Sequence, residues 1–361
     1  MSDNEELEII SSTTEDITDK KCPSCGATLQ YDPDIKKMAC PYCGFSREIP
    51  EEMSSDSVKE QDFESAKLRA SQNWGTKKKS IVCKQCGGET VYDEAETAAS
   101  CPFCGSNNIM PVDDDEDIMA PGGVVPFEIS QEKASELFKK WLGGKLFAPN
   151  AAKQACVAKD FNGIYLPYWT YDAETASTYS VSLGFDYKDG DETKTRWRNY
   201  SGNYAEFIDD EIVYASKKTN DPYIKRVSVF DFTRLRPYSP EFIAGFAAER
   251  YTVGLDEGWG QAKVAIDSKL RSHLSSELRS RYNADHVRNL VLNTDYSDIT
   301  FKYLLAPIWL SNFKFNGTVY KFVVNGQTGK IAGKSPISPI KVAIAVVIAI
   351  AVLILLAYLF G

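Results

Sequence analysis

Histidine is nearly absent from this chain: there are two in 361 residues. His273 lies beside Leu270 and Leu274 in a helical stretch, and His286 follows Asp285 near the end of that stretch. Sequence assigns neither a Ser, Cys or Glu partner, so both read as satisfied or solvated side chains and not as the base of a nucleophilic enzyme. A phosphate-binding loop is lacking as well. Thr328-x4-Gly333-Lys334-Ser335 comes near the pattern but lacks its first glycine, and a hairpin exit leaves no room for the strand–loop–helix unit that the motif needs. Met1–Asp19 lacks the basic-then-apolar run of a secretory signal. The bulk of the chain is therefore expected in a reducing cytoplasm, where thiols stay available to metals.

What is present begins with nine cysteines. Eight fall in an internal repeat at a constant offset, Lys21–Pro50 matching Val82–Pro111. Cys22, Cys25, Cys40 and Cys43 correspond to Cys83, Cys86, Cys101 and Cys104, and both sets read C-x2-C-x14-C-x2-C. Each C-x-x-C pair forms a knuckle aiming two sulfurs at one point, and two knuckles complete the tetrahedron that Zn²⁺ prefers. Gly26, Gly44, Gly87 and Gly105 follow the knuckles and suit a left-handed backbone. We expect two structural zinc ions, in closed sites with no position left for water; iron is the chemical alternative, and paired disulfides are disfavoured in a reducing compartment. Each segment is too short to bury a core without its metal. Cys156, the ninth, reads as a small buried hydrophobe.

Charge is uneven. Residues 1–120 carry 25 acids against 12 bases, while the rest carries 25 against 29. Between Cys83 and Cys104 one base, Lys84, faces Glu89, Asp93, Glu94 and Glu96, and a filled four-thiolate zinc site adds about −2. Phosphate contacts dominate nucleic-acid affinity, so this surface is expected to repel nucleic acid. Lys77-Lys78-Lys79 is the exception and reads as a solvated helix flank.

The expected fold class is multidomain: two small β zinc ribbons, an aromatic-rich α+β domain and one C-terminal transmembrane helix. Residues 1–20 form a disordered acidic tail. Ribbons at 21–50 and 81–112 flank a helical linker, 51–80, in which Phe63, Ala66, Ala70 and Trp74 give one apolar stripe over Asp56–Trp74. An acidic linker, 113–123, leads to the α+β domain, 124–333. There Ser130 caps a helix with Ala134, Leu137, Phe138 and Trp141 on one face, and Ser239-Pro240-Glu241 has the form of another helix start. A long helix is expected over Trp259–Tyr282, with strands at Tyr179–Phe185, Val227–Phe232, Phe301–Leu310 and Val319–Val324 and a hairpin turn at Asn325-Gly326. Leu166-Pro167-Tyr168-Trp169 is echoed by Ala306-Pro307-Ile308-Trp309, a hint of two related halves. Asp209-Asp210 reads as a pair of turn residues, not an acid/base pair.

Residues 339–361 form the transmembrane segment. Val342–Phe360 holds no charge, and thirteen of its nineteen residues are Val, Ile, Leu or Phe. It spans about 28 Å, close to a bilayer core of roughly 30 Å, and insertion gains about 4–8 kcal/mol. Lys330, Lys334 and Lys341 precede it, which places the ribbons and the large domain on the cytoplasmic side.

Together these features resemble bacterial membrane-anchored double zinc-ribbon proteins, mostly from Gram-positive species, with transcription-factor-B-type ribbons and genes near phage-shock-type and flotillin-type membrane-stress genes. The resemblance covers nearly the whole chain. It rests on the CPxCG-type ribbons, on Val125-Pro126-Phe127, Tyr165-Leu166-Pro167-Tyr168-Trp169 and Ala244-Gly245-Phe246, and on Asn325-Gly326-Gln327-Thr328-Gly329-Lys330 before the anchor. Cys83-Lys84-Gln85-Cys86 lacks the family's proline but keeps the ligands. The resemblance implies a membrane platform that recruits cytosolic partners. We therefore expect a noncatalytic adaptor whose partners are cytosolic or membrane-associated proteins, with lipid around residues 342–360 and no small-molecule substrate. The competing readings are a membrane-tethered nucleic-acid-binding regulator, which a basic ribbon face would favour, and a membrane enzyme, which a deep pocket of titratable groups would favour.

Overall fold

The computed structural model describes residues 21–49, 58, 60–67, 78–84, 89–93, 101–103, 106–107, 109–112, 119–151, 161–217, 222–315 and 318–360. The tail 1–20, most of the acidic linker, Cys86, Cys104 and Cys156 lie outside them. The fold is α+β, a sheet-rich body followed by one apolar C-terminal helix.

The first cysteine repeat carries a three-stranded antiparallel sheet, β1 (Gln30–Asp32), β2 (Lys37–Ala39) and β3 (Ser46–Arg47). A second sheet of twelve strands, counted among the described residues, takes everything else. The helix expected over Asp56–Trp74 is corrected here. Gln61–Asp62 is a strand, β4, paired with a body strand at Thr300 and Phe301, and Phe63–Lys67 forms a helix, α1; residues 68–74 lie outside the described residues. Pairing to the body sheet ends the expected helix at its start, where Phe63 plugs the body core against Tyr171, Trp259 and Phe301. Lys78-Lys79 does not flank a helix; it opens β5 (Lys78–Cys83), which pairs with β6 (Glu89–Asp93) and β7 (Ile109–Val112).

The body is built twice over. β8 (Gly123–Val124), α2 (Gln131–Gly143), β9 (Phe161–Asp189) and β10 (Glu192–Tyr214) make the first unit. After α3 (Pro222–Val227) and β11 (Arg236–Pro237), β12 (Ala247–Glu249), α4 (Leu255–Tyr282), β13 (His286–Phe315) and β14 (Thr318–Asn325) make the second, which β15 (Ile331–Gly333) and α5 (Pro339–Phe360) follow. The halves interlock. β8 runs parallel beside β13, Gly123 opposite Leu304, while β12 runs parallel beside β9, Ala247 opposite Ile164. β6 joins the second cysteine repeat to this sheet, with Thr90 opposite Glu249.

The hydrogen bonds repeat as well. Pro167 O accepts from Ala215 N at 2.9 Å, and Pro307 O accepts from Gly326 N at 2.8 Å. Ala215 O accepts from Thr252 and Val253, and Gly326 O from Glu128 and Ile129. The Trp169 indole donates to Val253 O and the Trp309 indole to Ile129 O, both at 2.8 Å. Gly254 and Ser130 then start the two helices.

α2 begins as its sequence predicts, with the Ser130 hydroxyl accepting from Lys133 N. α4 buries Trp259, Ala262, Ile266, Leu270, Leu274 and Leu278, a stripe of three- and four-residue steps laid over the sheet. Asn283 ends it in the left-handed conformation. Two expected elements differ. Val227–Phe232 is not a strand: Val227 ends α3, Phe232 begins a short 3-10 turn, and between them the Asn325 amide group donates to Val227 O and Val229 O. Ser239-Pro240-Glu241 opens turns and no helix, and Gly245 at φ +84° breaks the run where Phe246 must stack on Phe127. The Asn325-Gly326 turn does link a hairpin, β14 to β15.

Candidate metal centre and neighbouring sites

The first four cysteines converge. Cys22 N donates to Ala27 O and Gly26 N donates back to Cys22 O; Cys40 N donates to Phe45 O and Gly44 N to Cys40 O. Gly26 and Gly44 sit at φ +74° and +75°, with nothing near a would-be Cβ, so backbone conformation alone demands glycine there. All four sulfurs lie within 4.8 Å of one another. Cys22 and Cys43 are 3.4 Å apart, and Cys25 and Cys40 3.5 Å. A disulfide needs about 2.05 Å, whereas tetrahedral Zn–S bonds of about 2.3 Å set sulfur separations near 3.8 Å. The residues present fit a four-thiolate metal ion.

The Tyr42 amide, outweighing burial, brings the Cys40 thiol down to about 6. Cys43 is pulled down by the Phe45 amide but pushed up to about 12 by hydrogen bonding to Cys22 and by burial. Four thiols this close share protons unevenly, and a divalent cation relieves that by ionising them all.

In the second repeat, Cys83 and Cys101 are buried. Cys101 N donates to Ser106 O at 2.8 Å, reproducing the Cys40–Phe45 knuckle. Cys86 and Cys104, the other two expected ligands, lie outside the described residues.

Sequence reasoning missed an ionic cluster around the buried Asp172. Asp209-Asp210 is not a turn. It is a β-bulge inside β10, with Asp210 left-handed at φ +48°, facing a matching bulge at Ser297–Thr300 in β13. Between them Asp172 of β9 accepts from Asp210 N at 2.6 Å and from Thr300 Oγ1 at 3.2 Å. Lys302 Nζ lies 3.0 Å from Asp210, 3.2 Å from Glu60 and 3.9 Å from Asp172. Burial, with Glu60 and Asp210 adding to it, raises Asp172 to about 6 against the pull of the Asp210 amide and Lys302. The carboxylates of Asp172, Asp209 and Asp210 are close enough to share an ion, but Lys302 already supplies the cation. Four separate elements contribute, so no spacing in the sequence announced the cluster.

Both histidines have carboxylate partners that sequence did not assign. His273 Nδ1 is 2.8 Å from Glu206, and His286 Nε2 is 3.0 Å from Asp186. Each ties β13 or α4 to the β9–β10 hairpin at the surface. An open cleft of about 500 Å³ lies between the cysteine repeats and the start of α2, lined by Asp32, Asp34, Pro41, Pro102, Glu132 and Phe246 among others. Pro41 and Pro102 are equivalent positions of the two repeats.

α5 is long and apolar enough to cross a bilayer, with mean hydropathy 2.9 over Pro339–Leu356 and none of it buried in the body.

No protein-family model matches this chain. The chain is 29% identical over 331 residues to the uncharacterized protein YdjG of Bacillus subtilis (strain 168), covering 90% of this chain and 91% of that one. No solved structure matches.

Proposed function

We propose that this protein is a noncatalytic, membrane-anchored zinc-ribbon adaptor that recruits cytosolic proteins to the membrane face, in keeping with the envelope-stress setting of the family it resembles. The carrying observation is the Cys22–Cys25–Cys40–Cys43 cluster, four sulfurs within 4.8 Å of one another, the ligand set of a structural zinc site. The second repeat holds the second zinc through Cys83, Cys86, Cys101 and Cys104. Tyr31 supports a rigid mounting of the first ribbon: its hydroxyl donates to Phe127 O at 3.2 Å and its ring meets Phe242 edge-on. α5 anchors the chain, with Lys330, Lys334 and Lys341 keeping the body cytoplasmic.

The acidic balance of residues 1–120 favours protein over nucleic acid as partner. In-cell cross-linking should capture partners with the full chain and lose them with Cys40→Ser and Cys101→Ser. Titration of the detergent-solubilised chain with DNA and RNA should show no micromolar binding. Such binding, abolished by changing Lys77, Lys78 and Lys79 to Glu, would overturn the adaptor in favour of the tethered regulator. Removing residues 339–361 should release the protein from membranes; retention through carbonate extraction would contradict the anchor.

A further inference from the structure

The foot of the apolar helix is tied to a loop of the body. Ser338 N donates to Phe147 O at 2.8 Å. Lys341 Nζ, one residue before the uncharged span, donates to Ala148 O at 2.7 Å and Asn150 Oδ1 at 2.9 Å. These bonds hold residues 147–150 at the depth where α5 enters a bilayer. The neighbouring apolar side chains face outward: Leu146 is 76% exposed and Phe147 38%, with Ile337 at 67% and Ile340 at 71% on the opposite segment. Apolar groups scattered singly over a surface need no explanation, but four gathered at one foot do.

Charge marks the same place. Residues 137–150 contain Lys139, Lys140 and Lys145 and no acid; residues 329–341 contain Lys330, Lys334 and Lys341 and no acid. α2 packs against β15, which brings the two segments together. Lys145 lies 4.7 Å over the Trp141 ring, a cation above an aromatic plane at the end of α2. Apolar side chains ringed by lysines are what an anionic membrane surface holds.

We propose that the end of α2 and the loop 144–150 rest on the bilayer that receives α5. Leu146 and Phe147 enter the headgroup–acyl boundary, and Lys139, Lys140 and Lys145 meet anionic phospholipid headgroups. The inference rests on the reading of α5 as a membrane anchor. A lone span lets the body swivel; a second contact fixes which face of the ribbons looks into the cytoplasm.

The test is hydrogen exchange on the full chain reconstituted into vesicles of phosphatidylcholine, with or without about 30% phosphatidylglycerol. Residues 139–150 should exchange at least about fivefold more slowly with the anionic lipid. Changing Lys139, Lys140 and Lys145 to Glu should erase that difference while the chain still floats with the vesicles. Leu146→Ser with Phe147→Ser, at exposed positions that leave folding intact, should weaken the protection through the apolar half of the contact. A vesicle-bound chain whose 139–150 exchange ignores lipid composition and both variants overturns this inference and leaves the anchor standing. A chain that does not float removes the anchor reading, and this inference with it.

Discussion

Trp169 and Trp309 make one hydrogen bond in two places. The first donates to Val253 O and the second to Ile129 O, each at 2.8 Å, and each carbonyl lies one residue before a helix N-cap. The indoles therefore set where α4 and α2 begin. Replacing Trp169 by Phe strands a buried carbonyl and should cost about 1–3 kcal/mol, plus the lost ring contacts. Trp309→Phe should cost less, because Ile129 is only partly buried. Chemical denaturation of both variants decides the order.

Two glycines of α4 should respond with opposite sign. A Cβ at Gly258 would meet Tyr171 Oη at 2.4 Å and Trp169 Cδ1 at 2.9 Å, and that hydroxyl is held by its bond to Leu255 O. Overpacking of about 1–3 kcal/mol outweighs the helix gain of about 1 kcal/mol, so Gly258→Ala should destabilise. Gly260 has nothing within 4 Å, and Gly260→Ala should stabilise by about 0.5–1 kcal/mol. Melting curves of the pair test the register of α4 against the sheet.

Metal content should fall stepwise. The full chain should carry two zinc ions, and Cys40→Ser or Cys101→Ser should each remove about one, read by elemental analysis. Cys22, Leu29, Tyr31 and Met38 are buried in the same core as the body, so loss of the first metal should also lower the melting temperature of the whole chain.

Asp172 gives a pH signature. Its folded value near 6 lies above the ordinary carboxylate value, so the native state holds this proton while the unfolded chain has released it. This group's contribution to stability therefore falls as pH rises from about 4 to about 6, then stays level. Lys302, Glu60 and Asp210 face it throughout. Asp172→Asn should remove that fall, seen as a flatter stability curve than wild type across the window.

The legible parts were those set by local chemistry. Cysteine spacing announced the knuckles, an unbroken apolar run announced α5, and Ser130 with its apolar face announced α2. What stayed hidden depends on partners distant in the chain. Gln61–Asp62 leaves the expected helix to pair with Thr300 and Phe301, and Phe63 enters the core against Tyr171, Trp259 and Phe301. Val227–Phe232 has strand composition, but the Asn325 side chain claims its carbonyls. Asp210, Asn289 and Asp298 are left-handed at bulges, and the one at Asp210 lets β10 run on where a turn was expected. The tryptophan echo was visible as four letters; its meaning, a duplicated hydrogen-bond circuit, was not.

The exchanged lead-in strands carry a kinetic consequence. β8 takes its place against β13 of the other half, and β12 against β9, so neither half completes its sheet before the other has been made. Most of the defining contacts join residues far apart in sequence, which favours slow, all-or-none folding. A ribosome must release nearly the whole body before it can close. A backbone nick between the halves should leave two fragments that remain clasped together.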